Sequence, residues 1–291
     1  MQKHIRPFLD FLLFSNLFIA LGAAAQVILS YQLLELSPNW RLISLVFCAT
    51  LALYNFSMFL ARPAKPESSP YRRVRWIFEH QRLITSISLT AIFGAIILSL
   101  LLSYTSQILL LFLGFIAIAY NLPLLQIRSQ KIGLRNIPGI KLFLIAGIWS
   151  LSVVLLPVLE AESKGILFIS SGRVMLLLAQ RFAFVAAITI PFDIRDLYQD
   201  RIYALKTIPV LFGETKAYLL CQLLLVVSLV LSGMALFPLG QSFSTILITS
   251  LLSAWLIFRS KWKKDEYYYF FYLDGVLLIP TVCLALLQFI C

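Results

Sequence analysis

Nine apolar stretches, each close to 20 residues long, recur along the 291-residue chain and constrain its fold more than any motif does. They cover 8–30, 42–61, 83–104, 106–125, 137–159, 173–192, 217–237, 242–259 and 267–290. At 1.5 Å of rise per residue, each reaches across a hydrocarbon core of about 30 Å. Lipid offers no partner for backbone N–H and C=O groups, so the crossings must be helical. With 60% apolar and 13% charged residues, an ordinary soluble domain is excluded. The expected fold class is all-α: a polytopic membrane protein with nine transmembrane helices, read as a single domain over residues 1–291.

The net charge of +11 is topological. Of the 24 Lys and Arg residues, 20 fall at the N-terminus and within 62–82, 128–141, 195–216 and 259–264. Alternating loops place all of these on one side. Only Arg41, Lys164 and Arg173 fall on the other, and Arg181 sits inside a stretch. Such a bias marks the cytoplasmic side. It puts the N-terminus in the cytoplasm and the C-terminus outside, which requires an odd number of crossings, in a membrane expected to be the plasma membrane. Nucleic acid is not an expected partner; membrane lipids are. The first stretch is too long for a signal-peptide core and is expected to be retained. Cys48, Cys221, Cys283 and Cys291 have no metal-ligand spacing, and no Walker, dinucleotide or HExxH motif occurs.

Acidic residues number only 13, yet Asp193, Asp196 and Asp200 fall within eight positions at the end of the sixth stretch. At i, i+3 and i+7 they share one face of a helix. Like charges so placed need compensation. A divalent cation is one form, since hard oxygen ligands suit Mg2+ and Mg2+ suits phosphate. Pairing with Arg195 and Arg201 at a solvated helix end is the other, and the triad alone leaves both open. The alternating topology brings the C-terminal ends of the second, fourth and sixth stretches together on the cytoplasmic side. They carry Tyr54 with Asn55, Tyr120 with Asn121, and the triad, while Asn16 and Asp274 lie in the inner halves of the first and ninth stretches. Polar groups that are costly in lipid thus gather at one depth. A cytoplasm-facing polar pocket beneath an apolar chamber is the expected result.

Beyond the triad come Lys206, Thr207, Pro209, Val210 and Gly213. The run Asp193–Gly213 resembles the second aspartate-rich motif of the UbiA superfamily of intramembrane prenyltransferases. Tyr120, Asn121, Leu122 and Pro123, followed by Lys131, resemble in weakened form the family's stretch after its fourth helix. The resemblance implies a helical bundle around a central cavity, in which motifs on helices 2 and 6 hold Mg2+ for a prenyl diphosphate. Loss of diphosphate would give an allylic cation that alkylates a lipophilic acceptor, aromatic in many cases, while the buried chamber excludes quenching water. It also implies metal binding by Asp193, Asp196 and Asp200 with help from Asn55. Phosphate contacts would come from Arg62, Lys131 and Arg201, and Tyr120 and Asn121 would line the substrate chamber.

The first motif departs from that pattern. Asn55 is present, but Phe56, Phe59 and Pro63 stand where acids are expected. One metal site is therefore expected to be missing. Arg62 would either supply positive charge to the diphosphate directly or anchor the helix end at the headgroups. If catalysis was lost with those acids, the chain would be an isoprenoid-binding protein or a membrane scaffold.

Other residues carry two readings each. Arg181 lies about 18 Å along a helix from Asp193, too far to share its ligand; it needs a partner, for which Asp274 is one candidate, or an outward snorkel. Asp274 otherwise lines the pocket. Asn16 makes an interhelical hydrogen bond or meets the diphosphate. Tyr267–Tyr272 forms an interfacial aromatic belt or a wall that shields a cation. The basic residues of the polar segment 63–75 are expected to hold the anionic leaflet. An unrelated transporter would show helices broken near the midplane by paired Gly or Pro, and no such pairing is evident.

Overall fold

The apolar stretches become helices, and polar side chains cap the start of two of them. Asn39 accepts the Arg41 N–H at 3.1 Å and Ser103 accepts from Ser106 N at 3.3 Å, each satisfying a donor that a helix start leaves free. The computed structural model describes residues 2–122, 125–127, 130–132, 134, 139–165, 170–202, 205–238, 240–263 and 265–290. In chain order the helices are α1 (Gln2–Phe14), α2 (Leu17–Leu33), α3 (Trp40–Leu60), α4 (Arg72–Glu79), α5 (Gln81–Leu100), α6 (Tyr104–Asn121) and α7 (Ile140–Ser150). They continue with α8 (Leu156–Glu162), α9 (Ser171–Arg195), α10 (Leu197–Ile202), α11 (Ile208–Phe212), α12 (Glu214–Ala235), α13 (Gln241–Arg259) and α14 (Ile279–Ile290). A π-helical turn, Leu151–Leu155, joins α7 to α8 as one span of 23 residues.

Among the described residues, six helices are long and apolar enough to cross a membrane: α3, α5, α7–α8, α9, α12 and α13. The bent pair α1–α2 would make a seventh. Leu89, Phe93, Leu111, Phe115 and Leu219 are each more than 60% exposed, an apolar exterior suited to lipid. The helices close a ring. α2 packs on α3, α3 on α5 and α6, α6 on α7 and α8, α7 on α9, α9 on α12, α12 on α13, α13 on α14, and α14 back on α2. Buried amides and hydroxyls cross between helices, as in other membrane bundles. Gln26 Nε2 donates to the Leu277 carbonyl at 2.5 Å, Thr281 Oγ1 to the Ala25 carbonyl at 2.6 Å, and Gln180 Nε2 to Ser228 Oγ at 3.0 Å.

Three stretches expected to be continuous helices are interrupted. The first bends by 62° at Ser15–Asn16, where Asn16 takes a left-handed conformation (φ 67°) that Asn tolerates better than most residues. The fourth ends at Asn121 rather than 125, with Leu122 extended, as the residue before a proline tends to be. A short antiparallel hairpin follows, β1 (Leu125–Ile127) and β2 (Gln130–Ile132), with Ile127 opposite Gln130. This is the one departure from an all-helical chain among the described residues. The ninth is wide-wound at Tyr268–Leu273 and turns before α14, where Pro280 has no N–H to give.

Gly22 sits where α2 meets the last span, and a Cβ there would lie 3.2 Å from Leu277 Cβ. Gly22→Val is expected to push the two apart and cost about 1–3 kcal/mol of stability, seen as a lower melting temperature in detergent. An unchanged melting temperature would contradict this close approach.

Candidate functional site

The interruptions frame a cavity of about 210 Å3 inside the ring, at the end where the basic loops gather. Its wall is drawn from α1 and α2 (Leu13, Asn16, Ile19), α3 (Tyr54), α4 (Arg73), α7 (Lys141, Trp149), α9 (Thr189, Asp193) and the last span (Phe270, Asp274). Three cations, Arg73, Lys141 and Arg195, and three carboxylates, Asp193, Asp196 and Asp274, share it. A second cavity of about 140 Å3 shares Tyr54 and Trp149 with the first and is otherwise lined mostly by aliphatic residues such as Leu45, Val46, Leu110 and Leu113. A charged chamber thus opens beside a greasy one.

The triad keeps its neighbourhood but not one helix. α9 ends at Arg195 with Asp196 as its cap, and Asp200 sits in the short α10. Each acid has its own partner. Lys141 Nζ donates to Asp193 Oδ1 at 2.5 Å; Arg195 forks onto Asp196 at 2.8 and 3.0 Å; Thr207 Oγ1 donates to Asp200 Oδ2 at 3.0 Å. Burial pushes the Asp200 carboxyl up from the usual carboxylate range, against the pull of Lys141 and the Thr207 hydroxyl. The compensation expected of a metal is thus supplied largely by side chains. Among the described residues no group of three or more acidic, His or Cys side chains is placed to hold a metal ion. The residues after the triad build its support. Lys206 O accepts the Gly139 N–H at 3.1 Å, tying this loop to the start of α7 and so to Lys141. Pro209 starts α11, and Gly213 turns at φ 85°, a conformation that suits glycine.

The opposite wall is cationic. Arg73 Nη2 donates to Asn16 Oδ1 at 2.5 Å, and Asn16 Nδ2 donates to Asn55 Oδ1 at 2.7 Å, so Asn16 both bridges helices and faces the cavity. The Arg73 guanidinium lies 4.3 Å above the Phe270 ring, and Arg195 lies 5.1 Å from the same ring. Burial, with Arg195 beside it, draws Arg73 down to about 10, which leaves it charged at neutral pH; Asp274 and Glu266 oppose the shift. α4 is pinned over the site by Arg72 on Asp10 (2.5 Å), by Tyr267 Oη on the same carboxylate, and by Arg73 N on Glu266 (3.0 Å).

Several expectations fall elsewhere. Arg62 is exposed and lies 5.0 Å above the Phe78 ring, outside the cavity wall, because the chain turns away after Leu60. Arg201 is also exposed, and its neighbour Arg195 takes the Asp196 pairing. Tyr120 stands near Tyr54 and Lys141 at the end of α6. The side chains of Asn121 and Lys131 lie outside the described residues. Arg181 is 2% exposed and pairs with neither Asp274 nor any other described acid, while Asp274 sits near Arg73 and Arg195. The Tyr267–Tyr272 run divides: Phe270 faces the cavity, Tyr269 is buried, and Tyr272 is exposed. Arg73 and Lys141 were legible only as topological charge. A lysine inside a predicted span, opposite an aspartate in another, was the available signal for Lys141.

Asp193 keeps 3% of its side chain exposed and Lys141 24%. Lys141→Met is expected to cost about 3 kcal/mol by stranding a buried carboxylate, and Lys141→Met with Asp193→Leu to regain most of it. Thermal or chemical denaturation in detergent reads both; equal losses in the single and double variants would contradict the pairing. Arg181→Met removes a buried charge that has no counter-ion among the described residues, and is expected to raise the melting temperature.

No family model matches the sequence, and no curated protein matches it. Solved structures do match. A UbiA homologue from Archaeoglobus fulgidus bound to GPP and Mg2+ is similar at a TM-score of 0.66 with 11% identity, over 96% of this chain and 99% of that one. The apo structure of a UbiA homologue from Aeropyrum pernix K1 gives 0.61 and 17%, over 96% and 98%. A digeranylgeranylglyceryl phosphate synthase in membranes gives 0.58 and 13%, over 98% of each chain. At such identities the likeness is one of fold: this chain folds, over nearly its whole length, as the UbiA homologues do.

Proposed function

We propose that this chain is an intramembrane prenyltransferase, moving a prenyl group from a prenyl diphosphate to a lipophilic acceptor, aromatic in the simplest case. The observation that carries the reading is the charged cavity opening beside an apolar one at Tyr54 and Trp149. A diphosphate suits the first and an isoprenoid tail the second, and the UbiA homologue bound to GPP and Mg2+ shares the fold. The protein would cross the membrane nine times as one domain, α1–α2, α6 and the segment from Tyr268 to Ile290 adding to the six long helices. Its basic loops, and so the charged cavity, would face the cytoplasm, in a plasma membrane.

The donor set fits one Mg2+ and not two. Mg2+ is commonly held by one or two carboxylates plus substrate phosphates, and Asp193 and Asp196 line the cavity as hard oxygen donors, with Asp200 beside them. On α3 the side-chain oxygen of Asn55 is already taken by Asn16, and Phe56, Phe59 and Pro63 offer none. When bound there, Mg2+ would neutralise charge on the departing diphosphate. The chain's own residues do the rest. Lys141 and Arg195 hold the carboxylates in place and add positive charge at the same end. As the C1–O bond of the prenyl diphosphate breaks, the electron pair leaves with the diphosphate. The aliphatic wall keeps water from the allylic cation until the acceptor forms the new carbon bond and sheds a proton. Phe270 presents its ring to the Arg73 and Arg195 guanidinium groups, and Tyr54 lines the same cavity.

Purified protein given geranyl diphosphate and a panel of quinone-ring, tetrapyrrole and lipid-alcohol acceptors is expected to form prenylated product with Mg2+. Asp193→Asn and Asp196→Asn are expected to reduce the rate at least about 100-fold, the size of a lost metal-assisted charge stabilisation. Binding of prenyl diphosphate with no product from any acceptor would favour an isoprenoid-binding protein or scaffold instead.

A further inference from the structure

α3 brings no carboxylate to the cavity, and although Asp274 stands near Arg73 and Arg195, three buried donors drawn from α3, α4 and α9 have no acceptor. Arg73 Nε, Arg195 Nη1 and Asn55 Nδ2 are all enclosed and unbonded. Two guanidinium groups share the Phe270 ring, at 4.3 and 5.1 Å, although like charges in a low-dielectric interior repel. Their protein partners leave them short. Arg195 spends Nε and Nη2 on Asp196, and Arg73 spends Nη2 on the neutral Asn16. Folds seldom leave buried donors unpaired, and a ligand is one of the accepted reasons for doing so. An anion with many oxygens, reached from two planar guanidinium forks, answers all three vacancies at once.

We infer that Arg73, Arg195 and Asn55 form a metal-free anion-binding wall that grips the diphosphate directly, α3 offering no carboxylate for a second metal. The inference rests on the proposed function for the identity of the ligand, but not on turnover. Arg73 reaches the cavity because α4 is clamped from both flanks, by Asp10 and by Glu266. It is a residue of the segment after α3, so it occupies the place that Arg62, turned outward over Phe78, does not. The wall makes binding of the diphosphate and its departure separable. Guanidinium charge secures the anion in either case, and a single Mg2+ near Asp193 and Asp196 would matter chiefly for the bond-breaking step.

The test is binding of geranyl diphosphate and of inorganic pyrophosphate to the purified full chain in excess EDTA, followed by calorimetry and thermal shift. Wild-type protein is expected to bind both without divalent ions, geranyl diphosphate within about tenfold of its affinity in Mg2+, since the wall supplies most of the grip. Arg73→Met is expected to weaken metal-free binding at least about tenfold, one lost charged hydrogen-bonding group, and Arg73→Lys to restore only part of it. Arg62→Met, at an exposed arginine outside the cavity wall, is expected to leave metal-free binding in place. Binding of the diphosphates only when Mg2+ is present, or equal binding by Arg73→Met and wild type in EDTA, would overturn the inference. Prenyl transfer with Mg2+ alongside lost binding in EDTA would sink this wall and leave the proposed function standing. Metal-free binding without any transfer would do the reverse.

Discussion

A buried ion pair between Lys141 and Asp193 sets the conditions for everything else in this molecule. The bundle's exterior is apolar, and a charge inside it is tolerated only with a partner close by. Once α7 and α9 are joined by that pair, their ends beside the basic loops are fixed next to each other. The loop carrying Lys206 and Thr207 is then drawn in to hydrogen-bond Gly139 and Asp200. The chamber therefore has a rigid charged end, and ligand binding need not assemble it. Its opposite wall is held differently, by α4 lying across the bundle between Asp10 and Glu266.

Broken helices do as much as charge. A straight first helix would bury Asn16 against lipid or its neighbours. The 62° bend turns it to Asn55 and Arg73. The last span is interrupted where Gln26 takes the Leu277 carbonyl, and this places Phe270 and Asp274 on the cavity wall. Similar folds at 11–17% identity show that the ring tolerates almost complete replacement of its sequence. What it requires is apolar length and polar residues at a few breaks, in agreement with the packing physics of membrane helices.

Much of this was legible in the sequence, because hydrophobic length and the bias of basic loops report directly on the bilayer. The gathering of Asn16, Asn55, Asp193 and Asp274 at one depth followed from topology alone, and the structure places all four at or beside one cavity. Other features were illegible for definite reasons. Arg73 sits in a segment that reads as a polar surface loop, and only the tertiary clamp by Asp10 and Glu266 turns it inward. The interruption at Ser15–Asn16 carries no Gly or Pro, and the one that Gly275 and Pro280 flank has no counterpart in another stretch, so hydrophobic length treats both stretches as continuous. Of the triad's two counter-charges, Arg195 is the neighbour of Asp196 and was among the expected partners, whereas Lys141 comes from a helix remote in sequence, which no spacing rule anticipates. Arg181 remains a buried cation with no described acid to meet it, and nothing in its sequence neighbourhood foretold that.

The most direct measurement is an electron cryomicroscopy map of the protein with a non-hydrolysable prenyl thiodiphosphate. The account predicts phosphate density against Arg73 and Arg195 and beside Asp193 and Asp196, with the tail running past Tyr54 and Trp149 between α3, α6 and α7. Density for the analogue on the lipid-facing surface, with the charged cavity closed or holding only water, would contradict it.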